Sequence, residues 1–214
     1  MQLYGYFRSS AAFRVRIALE LKGIAVEHIP VNLIRDGGQQ HAPAYVAINP
    51  SHLVPTLVDG EHVLGQSMAI IEYLDETHPE PPLMPRDALG RARVRALAQT
   101  IACDVHPVNN QRVVKYLAEH YGVSDDGKAE WMRHWMRLGL EAYEAALAAS
   151  PATGRFSHGD APTLADVCLV PQLFNAQRFG YDFRGLANVA RVFDTCMTLP
   201  AFDKSQPAKQ SDAV

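Results

Sequence analysis

Two adjacent serines, Ser9 and Ser10, stand where an apolar strand-like segment meets an apolar helical segment. Their hydroxyl groups can cap the helix, which is the ordinary role of serine at such a junction. Together with the positive end of the helix dipole, they can also stabilise a bound thiolate and lower its pKa. The residues by themselves leave both roles open.

Two further segments could hold a ligand. Val54-Pro55 leads into a strand, and a cis peptide there would turn the Val54 backbone outward to pair with an extended ligand. A trans proline at a strand edge is the more common arrangement. Gln66 and Ser67 open a helix, whose N–H groups can bind an anion or can simply be capped by the serine.

A polar cluster from Cys103 to Arg112 interrupts an apolar helical stripe. Pro107 should bend the helix, and the adjacent Asn109 and Asn110 are poor choices for a helix interior. Local violations of this kind often mark a functional site. Arg112 continues the stripe, so its side chain is a candidate to point into a cleft rather than into bulk water.

Metal and protein-thiol chemistry are both disfavoured. The three cysteines, Cys103, Cys168 and Cys196, are widely spaced and odd in number. They therefore form neither a disulfide framework nor a Cys-x-x-Cys site. The nine histidines contain no His-x-x-x-His or His-x-x-Glu-His spacing, so no metal is expected.

The elements that must position these residues alternate in type through the first part of the chain. In order, we predict a strand at 3–7, a helix at 11–22, strands at 26–33, 56–59 and 62–64, and a helix at 67–77. Gly23 suits the end of the first helix, and Asp59-Gly60 is a strong hairpin signal. The expected order is βαβ, a short helical stretch, then ββα.

The second part shows helical periodicity only. We predict helices at 87–120, at 128–149, after Thr163 and at 187–199. Thr163 and Asp166 resemble a capping box. The helix that they open is apolar on every side, so it should be the buried centre of a bundle. The polar tail after Asp203 is expected to fray.

Four prolines within residues 79–85 separate the two parts, because such a segment cannot continue a helix. We expect an α/β domain at 1–80 and an all-α domain at 87–214. The net charge of −3 argues against nucleic acid as the main partner. No apolar run approaches the length of a membrane span and no signal peptide is recognised, so a cytoplasmic protein without membrane partners is expected.

Together these motifs resemble the zeta class of glutathione transferases, which includes maleylacetoacetate and maleylpyruvate isomerases. The most specific match is residues 8–19, Arg-Ser-Ser-Ala-Ala-Phe-Arg-Val-Arg-Ile-Ala-Leu. It is similar to the class signature Ser-Ser-Cys-x-Trp/His-Arg-Val-Arg-Ile-Ala-Leu. Further matches are Val31-Asn32-Leu33, Gly38-Gln39-Gln40, Asn49-Pro50, Val54-Pro55-Thr56-Leu57, residues 66–74, residues 106–110 and residues 163–166.

The resemblance implies the glutathione transferase fold, with a thioredoxin-like domain that binds glutathione and a helical-bundle domain that binds the second substrate, in a homodimer. Ser9 would stabilise the thiolate of glutathione, with Ser10 as a second catalytic candidate and Ala11 lining the same turn. The further glutathione contacts that it implies are Gln40, Val54, Pro55, Gln66, Ser67, His106 and Asn110, with Val54-Pro55 cis. Ala11 and Phe13 depart from the signature, so the thiol must come from glutathione.

The activity implied is cis–trans isomerisation of an activated double bond in a dicarboxylate. Addition of a thiolate turns the double bond into a single bond, rotation becomes easy, and elimination returns glutathione. Guanidinium groups bind carboxylates bidentately. The candidate substrate-binding residues are Arg8, Gln111, Arg112 and Arg178.

The substrate is left open between the two isomerases. Maleylpyruvate isomerases tend to have Asn-Asn-Arg-Arg where this chain has Asn-Asn-Gln-Arg at 109–112. The missing cation favours maleylacetoacetate, an intermediate of aromatic amino-acid (tyrosine) degradation that is converted to fumarylacetoacetate. The alternatives are maleylpyruvate in gentisate-type catabolism, a general transferase acting on α-haloacids, and a non-catalytic binding module.

Overall fold

The structure, a computed structural model that describes residues 1–213, divides between Leu83 and Met84 into two units. The first unit contains Met1–Leu83 together with the described residues from Thr198 onward, and the second contains Met84–Met197. The division falls inside the proline-rich segment. The C-terminal segment, expected as part of the second domain, groups with the first unit instead.

A four-stranded sheet lies at the centre of the first unit. Its strands are β1 (Gln2–Gly5), β2 (Glu27–Pro30), β3 (Thr56–Asp59) and β4 (His62–Gly65), in the order β2-β1-β3-β4. β1 is parallel to β2 and antiparallel to β3, and β3 and β4 form the predicted hairpin. The predicted strand at 3–7 ends early, because Tyr6 to Ser9 form a turn in which the Ser9 N–H donates to the Tyr6 carbonyl.

Within residues 1–83, three helices alternate with the strands. α1 (Ser10–Lys22) follows β1, the short α2 (Pro43–Val46) lies between β2 and β3, and α3 (Ser67–Thr77) follows β4. α1 begins at the Ser9 cap and ends at Gly23, which adopts a left-handed conformation with φ of 65°. α1 and α3 pack together. The core that they form with the sheet includes Leu3, Phe13, Val15, Ile17, Leu57, Ile70, Ile71 and Leu74. This is the expected thioredoxin-like arrangement.

The second unit is helical. Its elements are α4 (Ala88–Gln99), a π-helical segment (Thr100–Val105), α5 (His106–Val108), α6 (Gln111–Tyr121), α7 (Asp125–Ala148), α8 (Leu164–Arg178) and α9 (Ala187–Met197). The prediction of one continuous helix at 87–120 was therefore wrong. Pro107 has no N–H to donate to the preceding turn, and the chain widens into the π-helix before it and leaves the helix at Asn109. α8 is buried along most of its length and begins with the predicted capping box.

The described residues of the C-terminal segment, 198–213, are ordered rather than frayed, so the expectation of a frayed tail was wrong for them. It contains α10 (Pro200–Lys204), which packs on α1, and a 3₁₀ turn (Pro207–Lys209). Asp203 pairs with Lys209 at 2.6 Å and accepts a hydrogen bond from Gln206 at 2.8 Å. A polar sequence can be ordered in this way when its own side chains pair with one another and it packs against the rest of its unit.

Candidate active site

Ser9 lies where β1 gives way to α1. Its N–H donates to the Tyr6 carbonyl at 2.9 Å, and its Oγ accepts from the Ala12 N–H at 3.2 Å. The Ser9 hydroxyl hydrogen has no acceptor among residues 1–213, whereas Ser10 already has an interaction partner. Ser9 can therefore cap the helix and at the same time donate its O–H to an anion beside the helix N-terminus.

The loop before β3 presents an unpaired backbone. The Val54–Pro55 peptide is cis, and within the described chain nothing hydrogen-bonds to the N–H or carbonyl of Val54. Asn49 fixes this loop, because its Nδ2 donates to the Leu53 carbonyl at 3.0 Å and to Thr56 Oγ1 at 2.8 Å. An extended ligand can pair with the Val54 backbone as an added strand does.

The N-terminus of α3 is supported from behind by a buried arginine. Ser67 is buried, and its Oγ accepts from Nη1 of Arg14 at 3.3 Å. Gln66, the residue before the helix, has φ of 64° and an exposed side chain with no partner in the described part of the chain. The N–H groups at a helix N-terminus, together with a neighbouring amide side chain, suit a carboxylate.

Gln40 has a buried side-chain oxygen that needs a donor. It lies in a 3₁₀ turn (Gln39–His41), and its Oε1 is buried without a partner among the described residues. Gly38, with φ of 104°, is the residue before this turn, and a Cβ at Gly38 would collide with the Gln40 side chain. Since a buried unpaired carbonyl oxygen is costly, this arrangement fits a ligand that brings an N–H, as the amide groups of glutathione do.

The second unit carries the other candidate residues, on α5, α6 and α8. His106 begins α5. Asn110 caps α6, with its Oδ1 accepting from the Arg112 N–H at 3.1 Å, and Gln111 and Arg112 are exposed in the first turn. Arg178 is the exposed last residue of α8, which packs against the π-helical segment directly before His106.

Arg8 is the remaining predicted carboxylate ligand, and it lies in the first unit. Its side chain is exposed, with the guanidinium carbon 4.8 Å from the centroid of the Phe7 ring. A guanidinium group stacked on an aromatic face still presents its N–H edge to a ligand. Arg8 and Ser9 are adjacent, so a cation and a hydroxyl donor occupy one turn.

The sequence reasoning missed two arginines, Arg14 and Arg16, that lie on the buried face of α1. Arg16 donates from Nη2 to the Phe7 carbonyl and from Nε to the Ser205 carbonyl, each at 3.1 Å. Burial lowers the pKa of Arg16 to about 10. The available signal was two arginines inside an apolar helix, because charged side chains are almost never fully buried unless they are paired.

No cysteine lies in the first unit, since Cys103, Cys168 and Cys196 all belong to the second. Burial raises the pKa of the Cys196 thiol well above its ordinary value, which makes that sulfur inert. Within residues 1–213, no cluster of three or more His, Cys, Asp or Glu residues is arranged to hold a metal ion, and no helix is long and apolar enough to cross a membrane.

Two family models match the chain. The glutathione S-transferase N-terminal domain matches residues 3–82, and the glutathione S-transferase C-terminal domain matches residues 135–200. Among curated relatives, a probable maleylacetoacetate isomerase of Vibrio cholerae is 46% identical over 99% of this chain and 97% of its own length. A maleylpyruvate isomerase of Ralstonia is also 46% identical, over the whole of both chains.

Solved structures agree with these relatives. The holo structure of a maleylpyruvate isomerase, described as a bacterial zeta-class glutathione S-transferase, is 45% identical with a TM-score of 0.97 over all of both chains. A maleylacetoacetate isomerase of Methylobacterium extorquens AM1, with malonate and glutathione bound, is 42% identical with a TM-score of 0.96 over all of both chains. This chain therefore belongs to the glutathione S-transferase family, in its zeta class.

Proposed function

We propose that this protein is a glutathione-dependent cis–trans isomerase that converts maleylacetoacetate into fumarylacetoacetate. The observation that carries the proposal is the Ser9 hydroxyl, which has an O–H without an acceptor in residues 1–213 at the N-terminus of α1. Full-length relatives named maleylacetoacetate isomerase, from Vibrio cholerae and from Pseudomonas aeruginosa at 45% identity, support the assignment.

The first unit holds glutathione. The Val54 backbone pairs with the peptide, Gln40 Oε1 accepts one of its N–H groups, and Gln66 with the N-terminus of α3 binds its γ-glutamyl carboxylate. Pro55, Ser10 and Ala11 line the same segments, and Ser67 lies at the first position of α3. His106 and Asn110 of the second unit are proposed as further contacts.

Glutathione, when bound, supplies the thiol whose reversible addition makes the substrate double bond rotatable. Ser9 donates a hydrogen bond to the sulfur and favours its thiolate form, aided by the positive end of α1. Arg8, Gln111, Arg112 and Arg178 bind the substrate carboxylates and the negative charge that develops beside the double bond. The malonate held by the Methylobacterium relative supports a dicarboxylate as substrate.

Replacement of Arg112 by alanine should raise KM for the dicarboxylate about tenfold, because a guanidinium–carboxylate pair is lost, and should leave the glutathione affinity unchanged. Arg112→Lys keeps the charge without the bidentate fork, so we expect an intermediate KM. Arg137→Ala is the matched control, since Arg137 pairs with Glu141 on the surface of α7. Steady-state kinetics and glutathione titration measure both quantities, and an unchanged KM for Arg112→Ala would remove Arg112 from this role.

The substrate is tested by assaying maleylacetoacetate and maleylpyruvate, each with and without glutathione. We expect glutathione-dependent turnover of both, with the larger kcat/KM for maleylacetoacetate, because Gln111 replaces a cation expected in the maleylpyruvate enzymes. Maleylpyruvate is the second candidate, favoured by the full-length Ralstonia relative. Turnover of maleylpyruvate alone would make that the substrate, and turnover without glutathione would overturn the proposed mechanism.

We also infer a homodimer that acts in the cytoplasm, as the zeta-class resemblance and the composition suggest. Sedimentation of the purified protein tests the oligomeric state, with a mass near 47 kDa expected from twice the chain mass of 23.6 kDa (2 × 23.6 = 47.2). A mass of one chain at working concentration would contradict the homodimer.

A further inference from the structure

The C-terminal segment reaches the residue that precedes the Arg8–Ser9 pair. Asp212 Oδ2 accepts a hydrogen bond from the Phe7 N–H at 3.0 Å. The Phe7 carbonyl accepts from Nη2 of Arg16 at 3.1 Å. Both backbone polar groups of Phe7 are therefore held by side chains, one of them 205 residues away along the chain.

Both side chains that hold Phe7 involve the C-terminal segment: Asp212 belongs to it, and Arg16 binds it. Arg16 is 5% exposed, and its Nε donates to the carbonyl of Ser205, a residue that is 2% exposed. Asp212 also attracts Arg16 electrostatically, which favours the charged guanidinium against the cost of its burial. Arg16, Asp212 and the Ser205 carbonyl thus form one connected set around Phe7, which we name the Phe7 clamp.

The clamp lies beside a cluster of apolar side chains that includes residues of the turn before Ser9 and of the loop before β3. The buried members of this cluster are Tyr6, Phe7, Val31, Tyr45 and Val54, and Ala213 packs against it. The turn from Tyr6 to Ser9 is closed by the hydrogen bond from the Ser9 N–H to the Tyr6 carbonyl at 2.9 Å. A shift of Phe7 would therefore move Ser9 in two ways: through Arg8, the one residue between them, and through Tyr6, which is bonded to Phe7 and accepts the Ser9 N–H.

We propose that Asp212 is a positioning residue for Ser9, because it holds Phe7 and so sets the direction in which the Ser9 hydroxyl donates. The inference rests on the proposed role of Ser9 toward the glutathione thiol. A hydrogen bond from a backbone N–H to a carboxylate is about twice as strong as a neutral one. Catalytic donors lose effect when the residues that support them are loosened, even by about 1 Å.

The test compares Asp212→Ala and Asp212→Asn with Asp203→Asn. Asp203 is the matched control: it is a carboxylate of the same segment, but it holds Lys209 and Gln206 rather than Phe7. For each variant we would measure the pKa of the bound glutathione thiol from thiolate ultraviolet absorbance, kcat and KM for the dicarboxylate, and stability to urea.

Asp212→Ala should lower kcat about tenfold, less than the loss of about 100-fold that a misplacement of about 1 Å can cause, and should raise the pKa of the bound thiol, with KM unchanged. Asp212→Asn keeps an acceptor for the Phe7 N–H and should recover part of the loss. Asp203→Asn should match the parent in thiol pKa and kcat. A merely structural role would change urea stability without moving the thiol pKa.

An unchanged thiol pKa and kcat in Asp212→Ala would overturn the inference, and so would an equal loss in Asp203→Asn. If Ser9→Ala raises the thiol pKa while Asp212→Ala does not, only the positioning role of Asp212 fails. If Ser9→Ala leaves the thiol pKa unchanged, the proposed role of Ser9 fails, and the inference fails with it. Amide hydrogen exchange checks the clamp directly, because Asp212→Ala should speed exchange at Phe7, and equal rates would contradict it.

Discussion

Replacement of Ser9 by alanine is expected to lower kcat of the isomerase about 100-fold, the size measured when one preorganised donor to a developing anion is removed. The pKa of the bound glutathione thiol should rise in the same variant. The physical reason is that the Ser9 O–H has no acceptor in the described chain and is available to the sulfur. Kinetics and the ultraviolet absorbance of the thiolate measure the two effects.

Ser9 also caps α1, so its two roles must be separated. The Ser9 Oγ accepts from the Ala12 N–H, and loss of such a cap costs about 1 kcal/mol of stability. Ser9→Asp is the useful control, because aspartate caps a helix as well as serine does but cannot donate to a thiolate and repels it. We expect Ser9→Asp to be stable and inactive.

The neighbouring serine supplies the second comparison. Ser10 already has an interaction partner in the protein, so Ser10→Ala should reduce kcat much less than Ser9→Ala. Activity of Ser9→Ala within twofold of the parent would contradict the assignment. A larger loss for Ser10→Ala would transfer the donor role to Ser10.

Replacement of Asp166 by alanine is expected to lower the free energy of unfolding by about 3–4 kcal/mol. The Asp166 carboxylate is fully buried and accepts hydrogen bonds from the Ser157 N–H, the Thr163 N–H and Thr163 Oγ1 at 2.8, 2.8 and 2.9 Å. Burial raises the pKa of this carboxyl, and the hydrogen bonds from Ser157 and Thr163 oppose that rise. The alanine variant leaves these donors buried without an acceptor.

Urea unfolding of two further variants controls this prediction. Asp160 is exposed and accepts one backbone N–H, from Arg155 at 3.0 Å, so Asp160→Ala should cost no more than about 1 kcal/mol. Asp166→Asn keeps an acceptor oxygen and should fall between the two. Equal stability of Asp166→Ala and Asp160→Ala would show that the buried network does not stabilise the start of α8.

Local signals predicted the elements whose ends depend on adjacent residues. The Asp59-Gly60 hairpin, the helix at 67–77, the Ser9 cap and the Gly23 terminus all appear in the structure. In each case the determining interaction joins residues a few positions apart, such as Ser9 and Ala12. Such interactions can be identified from a short window of sequence.

Two predictions were wrong for opposite reasons: the single helix at 87–120 and the frayed tail after Asp203. A stripe of apolar residues continues through Pro107, but the backbone cannot keep α-helical hydrogen bonds there, so α4, the π-helical segment and α6 are separate elements. The tail has no local signal for order. Its partner groups are Phe7, Arg16 and its own Asp203 contacts, two of which lie at the other end of the chain.

The sequence by itself determined which chemical groups are present: two serines at a strand–helix junction, no cysteine beside them, and a glutathione transferase signature around them. Only the tertiary structure decided that the Ser9 hydroxyl lacks an acceptor, that Arg14 supports Ser67, and that Asp212 holds Phe7. The last two contacts join residues 53 and 205 positions apart. The entropic cost of closing a loop grows only slowly with its length, so chain separation does not select one distant partner over another. The packing of the whole domain therefore decides which distant residues pair.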